Sequence, residues 1–186
     1  GLYTNDERIR RVGWGVVFVW ETDYDITPLE AVYAGLSGPQ QTVPRGEITA
    51  MLRAVQHARQ PLHKEMTDCK NIISYTIRNL DDWNVKASDN GDLLQQLHEE
   101  LTTNGNAPAP HNIIKIKGHA TADDLVQQRI TPLQAQGNYF ADTVAKIAAS
   151  TAQLPAECVD NVFATVKLAK LVLQRLVAIA TVQWAK

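Results

Sequence analysis

The period of the hydrophobic pattern changes repeatedly along the first 150 of the 186 residues, and this succession restricts the fold more than any other feature. Val12 to Trp20 is dense in β-branched and aromatic residues, and Ala31 to Leu36 repeats that character after a polar, Pro-containing turn. Both read as strands, antiparallel to each other. Leu2-Tyr3-Thr4 reads as an earlier strand pairing with the first, which would make a three-strand meander. The period then changes: from Pro44, apolar residues recur at Ile48, Leu52 and Val55, predicting a helix that ends near Pro61. A short strand ending at Met66-Thr67-Asp68, a helix from about Asn71, another over Asp92 to Leu101, a strand from Ile113 to Lys117 and a helix opening at Gly137-Asn138 follow. Meander, helix, strand, helices, strand, helix is an α/β order with a mixed sheet.

The last thirty or so residues differ. Between Val159 and Trp184 nearly every third or fourth residue is apolar, so one long helix, or two, is expected. Lys167, Lys170, Gln174 and Arg175 interrupt the run well before the ~18 apolar residues of a membrane span. The expectation is a helix that packs on this domain or on a neighbouring one.

Composition adds limits rather than a direction. With 45% apolar and 20% charged residues the chain is neither disordered nor a disulfide scaffold, and Cys69 and Cys158 stand in no metal-ligand spacing. A net charge of -2 supplies no general attraction to nucleic acid, which leaves local clusters such as Arg8 to Arg11, or Lys115 and Lys117. The chain opens on Gly1 without a charged-then-apolar leader, and reads as a segment of something longer.

Three acidic residues fall where the predicted structure changes state: Glu47 in the first turn of a helix, Asp68 at a strand end and Asp142 early in the last core helix. Singly, a carboxylate at a helix start is most simply a cap favoured by the helix dipole. Their contexts carry more. Arg45-Gly46-Glu47-Ile48-Thr49-Ala50, Thr67-Asp68-Cys69-Lys70, Lys117-Gly118-His119-Ala120-Thr121 and Gly137-Asn138-Tyr139-Phe140-Ala141-Asp142 occur in that order beside a Gly-Trp-Gly-Val-Val strand. This set resembles the type 1 ribonuclease H family, in particular the domain associated with the reverse transcriptases of retroelements, over roughly residues 2 to 150.

The resemblance implies an α/β, ribonuclease H-like fold: a mixed five-stranded sheet flanked by helices over residues 1–150, with a C-terminal helical extension over 151–186. It implies a metal-dependent endonuclease that hydrolyses the RNA strand of RNA/DNA hybrids within a retroelement polyprotein. Glu47, Asp68 and Asp142 match the family's metal-binding carboxylates, and His119 its flexible-loop histidine, which assists proton transfer and product release. Two Mg²⁺ or Mn²⁺ ions are the implied cofactors, since hard cations prefer carboxylate oxygen to imidazole or thiolate. Gln41, Thr42, Arg45 and Asn138 match positions that contact substrate or support the metals, and Trp83 is a contact for the DNA strand or half-buried packing. The implied partners are the hybrid itself and a linked reverse transcriptase or other polyprotein domain reached through the C-terminal helix, with no membrane.

The sequence departs from the family at two places. Asp123 to Gln136 lengthens the segment between His119 and Asp142, and Asp123 and Asp124 within it read as solvated loop acids, with an approach to the site as the alternative. Where the family has Thr-Asp-Gly-Ser, this chain runs Tyr3-Thr4-Asn5-Asp6. Three explanations stay open: Asn5 replaces the first metal-binding aspartate, Asp6 takes its place by a one-residue shift, or a few residues carrying it are missing. The competing function is a ribonuclease H-like module that no longer cuts and serves as a nucleic-acid-binding or structural domain. An integrase- or resolvase-like nuclease shares the acidic cluster but not the Lys-Gly-His loop.

Overall fold

The structure, a computed structural model, describes residues 6–62, 64–77, 88–109 and 112–184. Its contacts divide the chain into two compact units, Gly1–Ala152 and Gln153–Lys186.

The first unit opens with β1 (Gly13–Glu21) and β2 (Ile26–Gly35), an antiparallel pair in which Trp14 faces Ala34, Val16 faces Val32 and Phe18 faces Glu30. β2 begins five residues earlier than the sequence suggests. Pro28 lacks the N–H that a ladder needs, and it is accommodated where the register shifts between Phe18 and Val19, leaving Leu29 as the extra residue of a bulge. Thr22 closes the turn, its amide donating to the Asp25 carbonyl at 2.9 Å.

Helix α1 (Val43–His57) follows, with Pro44 in its first turn and Ile48, Met51, Leu52 and Val55 buried on one face. β3 (Glu65–Thr67) leads into α2 (Lys70–Ile77), and α3 (Gly91–Thr103) lies against α1. β4 (Ile113–Lys115) pairs with β3 in parallel, Met66 facing Ile114, and the Ile116 amide extends the ladder to the Thr67 carbonyl at 2.9 Å. Ile48, Met51, Leu52, Cys69, Ile72, Leu94, Leu97 and Ile113 form the core joining α1, α2, α3 and β4. Burying an Ile or Leu side chain of this kind contributes about 1.5 to 3 kcal/mol.

The expected five-stranded sheet is replaced, among the described residues, by two sheets of two strands. β3 and β4 have three residues each and pair with one another, and the expected strand Leu2 to Thr4 lies outside the described residues. The segment before the last core helix also differs. The stretch Asp123 to Gln136, expected as a loop, contains most of the short helix α4 (Ala122–Val126) and the opening of α5 (Pro132–Thr151). Both begin with a capping box, Thr121 with Asp124 and Thr131 with Gln134.

Helix α5 lies against β1 and β2 so closely that a Cβ on Gly13 would collide with the Ala145 carbonyl and the Ala149 amide, and one on Gly15 would lie 2.9 Å from the Ala145 nitrogen. The two glycines of the Gly-Trp-Gly strand thus set how near the helix carrying Asp142 comes to the sheet.

The second unit is built on α6 (Ala156–Trp184), one helix where one or two were expected. Leu168, Leu171, Val172, Leu173, Leu176, Val177 and Ile179 are exposed along it. Among the described residues no helix is long and apolar enough to cross a membrane.

Candidate active site

Because β3 and β4 run parallel, their carboxyl ends emerge on the same side, where open α/β folds bind ligands. Asp68 follows β3 by one residue, and Gly118 and His119 follow β4. The two chain ends meet there. A Cβ on Gly118 would overlap the Asp68 Oδ2 and lie 3.2 Å from its Cβ and Cγ, so only glycine lets the loop after β4 lie against that carboxylate.

Glu47 sits on α1 beyond its first turn, since the helix starts at Val43 and has no acidic residue among its opening positions. That removes the simple explanation of Glu47 as a dipole-favoured cap. Burial pushes its carboxyl above the usual range, a hydrogen bond from the Cys69 thiol pulls it partly back, and the nearby charge of Asp68 adds to the rise. The Cys69 thiol is itself pushed up to about 11, by burial first and by Glu47 second. Glu47, partly desolvated, and Asp68, whose charge it feels, supply carboxylate oxygens of the kind a hard cation prefers. The donor set of Glu47 and Asp68 therefore fits a divalent cation.

Asp142 lies in the middle of α5, not early in the helix as expected, because the capping box at Thr131 starts the helix five residues before Gly137. Its carboxylate is 3.7 Å from Nδ1 of His119 and 3.8 Å from Nζ of Lys146. Asn138, one turn earlier, shares its face. His119 itself is 84% exposed and has φ 49°, a left-handed conformation that is unusual for a residue with a side chain. The four residues thus form a line: Glu47 beside Asp68, Asp68 against Gly118, and His119, next along, beside Asp142. Among the described residues no three His, Cys, Asp or Glu side chains close into a single metal-holding group.

The predicted substrate residues have varied surroundings. Gln41 is buried, its amide oxygen accepting from the Val12 amide at 2.9 Å and its nitrogen donating to the Leu36 and Gly38 carbonyls at 2.8 and 2.7 Å. Arg45 makes a two-point ion pair with Asp92 at 2.9 and 2.6 Å, joining α1 to α3. Thr42 is the N-cap residue of α1. Asp6 receives two bonds from the Arg8 guanidinium, at 2.9 and 2.6 Å, and this holds its carboxyl below the usual range. Trp83 and Asn5 lie outside the described residues.

Asp124, expected to be solvated, is 1% exposed. Its Oδ1 accepts from Nζ of Lys117 at 2.5 Å and from Nη1 of Arg129 at 2.9 Å. Its Oδ2 accepts from the amide and hydroxyl of Thr121 at 2.9 and 2.8 Å. The signal was present in the sequence as Thr-x-x-Asp, the spacing of a capping box, one residue after Lys117-Gly118-His119. Cys69 was also missed as a partner of Glu47, for want of any sequence signal linking a residue after β3 to α1.

A parallel strand pair with Asp68 after its first strand, a helix carrying Glu47 near Asp68 and a helix carrying Asp142 beside His119 make an α/β protein whose arrangement is of the ribonuclease H-like kind. Solved structures bear this out. The RNase H domain of prototype foamy virus is similar, with TM-score 0.56 and 19% identity over 75% of this chain and 82% of that one. The protease-reverse transcriptase of the same virus matches with TM-score 0.51 and 17% identity over 76% of this chain and 21% of its own length. The foamy viral protease-reverse transcriptase in complex with RNA/DNA hybrid matches with TM-score 0.50 and 13% identity, over 78% of this chain and 21% of its own. No curated protein matches. The sequence profile of RNase H matches residues 3–150, and the chain belongs to that family.

Proposed function

We propose that the chain hydrolyses the RNA strand of RNA/DNA hybrids with the help of divalent metal, as one domain of a longer retroelement polyprotein that includes a reverse transcriptase. The observation that carries this reading is the line of Glu47, Asp68, His119 and Asp142, drawn from four separate stretches of chain to the carboxyl ends of β3 and β4.

In this reading Glu47, Asp68 and Asp142 would hold Mg²⁺ or Mn²⁺, two ions in all. Bound there, the metal supplies an activated water and charge stabilisation for phosphodiester cleavage. Glu47 and Asp68 would supply carboxylate oxygens to the metal. His119, exposed and next to Asp142, is positioned to move a proton at the departing 3′ oxygen. Asn138, on the same face of α5 as Asp142, and Thr42, at the start of the helix carrying Glu47, are the polar groups set to meet the sugar-phosphate backbone. Arg45 reaches it only by exchanging Asp92 for a phosphate, and Gln41, bonded to the Val12 amide and the Leu36 and Gly38 carbonyls, steadies the chain leading into α1. Trp83 is assigned to the DNA strand. Recognition is independent of sequence, through 2′-hydroxyls and phosphates.

A second reading, a ribonuclease H-like module that binds without cutting, is favoured by one observation: the first acidic residue, Asp6, is engaged by Arg8. Incubation of a labelled RNA/DNA duplex with the protein and Mg²⁺ or Mn²⁺ separates the two. The nuclease reading expects RNA-strand cleavage that Asp68→Asn abolishes; an intact RNA strand with the wild type overturns it.

A further inference from the structure

We propose that Asp124 is a positioning residue that fixes the conformation of the His119 loop, so that the ordered insert after His119 is part of the catalytic apparatus rather than a surface elaboration. The inference rests on the nuclease reading above, in which His119 moves a proton.

The geometry points to this role because Asp124 grips the loop on both sides of His119. Lys117, two residues before, donates to Oδ1, and Thr121, two residues after, donates its amide and hydroxyl to Oδ2. Gly118, His119 and Ala120 therefore span two points fixed to one buried carboxylate. That carboxylate is anchored in turn: Arg129 bonds it at 2.9 Å and reaches Asp123 at 2.8 Å, and the Arg129 amide donates to the Asp124 carbonyl at 2.9 Å. A left-handed conformation in a residue with a side chain persists where surrounding bonds enforce it, and His119 adopts one between these anchors. The same clamp holds His119 beside Asp142. A buried carboxylate with two cationic partners and two further donors is more than the cap of a five-residue helix requires.

The test is a double-mutant cycle on hybrid cleavage by the full chain, using Lys117→Met, Lys117→Arg, Asp124→Asn and His119→Ala. Lys117→Met or Asp124→Asn should lower kcat about tenfold with KM nearly unchanged, and Lys117→Arg should restore most of it. In the His119→Ala background the same substitutions should cost less than about twofold, because there is no longer a side chain to position. Equal losses in both backgrounds would show a merely structural role and overturn the proposal. Amide hydrogen exchange across residues 118–121 gives a readout independent of activity: Lys117→Met should speed it about tenfold while exchange in β1 stays unchanged. Unchanged exchange at 118–121 would also overturn the clamp. A wild type that orders this loop but leaves the hybrid intact would sink the nuclease reading and, with it, the catalytic purpose of the clamp.

Discussion

The main chain of Gly118 lies against the carboxylate of Asp68, so the end of β4 and the end of β3 share one wall of the site. Because the contact has no space for a Cβ, Gly118→Ala must displace either the Asp68 side chain or the loop that carries His119. We expect hybrid cleavage to fall about a hundredfold. Thermal unfolding should drop by only a few degrees, since the displaced groups lie at the rim of the core. Wild-type turnover in Gly118→Ala would contradict the role given to this contact.

The two cysteines should differ sharply as nucleophiles. Cys69 is buried and its thiol is pushed up to about 11, whereas Cys158 is exposed. Only the thiolate attacks a maleimide, so at pH 8 Cys69 carries roughly one part in a thousand of the reactive form. Mass spectrometry after brief labelling should find Cys158 modified and Cys69 at least a hundredfold slower, with urea removing the difference. Equal labelling of both in the folded protein would refute the burial of the thiol beneath Glu47.

Asp124 should leave a signature in the acid limb of stability. Lys117 first, then the Thr121 amide and hydroxyl, hold its folded carboxyl below the usual carboxylate range. A depressed folded value means that the stabilisation is fully present above the unfolded value near 3.8 and is lost as pH falls below it. Asp124→Asn should therefore melt below the wild type at pH 5 to 7, and the gap should narrow as pH falls to about 3. A gap that stays constant across that span would mean the carboxylate charge contributes nothing.

Much of this arrangement is legible in the chain because local patterns carry it. Ile48, Leu52 and Val55 announce the buried face of α1, and the β-branched and aromatic run from Val12 to Trp20 announces β1. The insert after His119 is misread for a physical reason: Asp124 looks like a solvated acid until the cations that neutralise it, Lys117 and Arg129, are seen to converge on it. Arg45 and Gln41 are likewise legible as polar residues beside the Glu47 helix, while their partners, Asp92 and the main chain of Val12, Leu36 and Gly38, come from other segments.

By itself the sequence determined most of the order of the elements, from β1 to β4 with α1, α2 and α3 between them, the family to which the chain belongs and the four positions proposed for chemistry, because periodicity and short motifs are local properties of the chain. Tertiary structure alone decided that Glu47 is partly desolvated beside Asp68 and the Cys69 thiol, that Gly118 lies against Asp68 while His119 lies beside Asp142, and that Asp124 is buried. Those are consequences of distance and dielectric between segments tens of residues apart, and a carboxylate has the same letter in water as in the core.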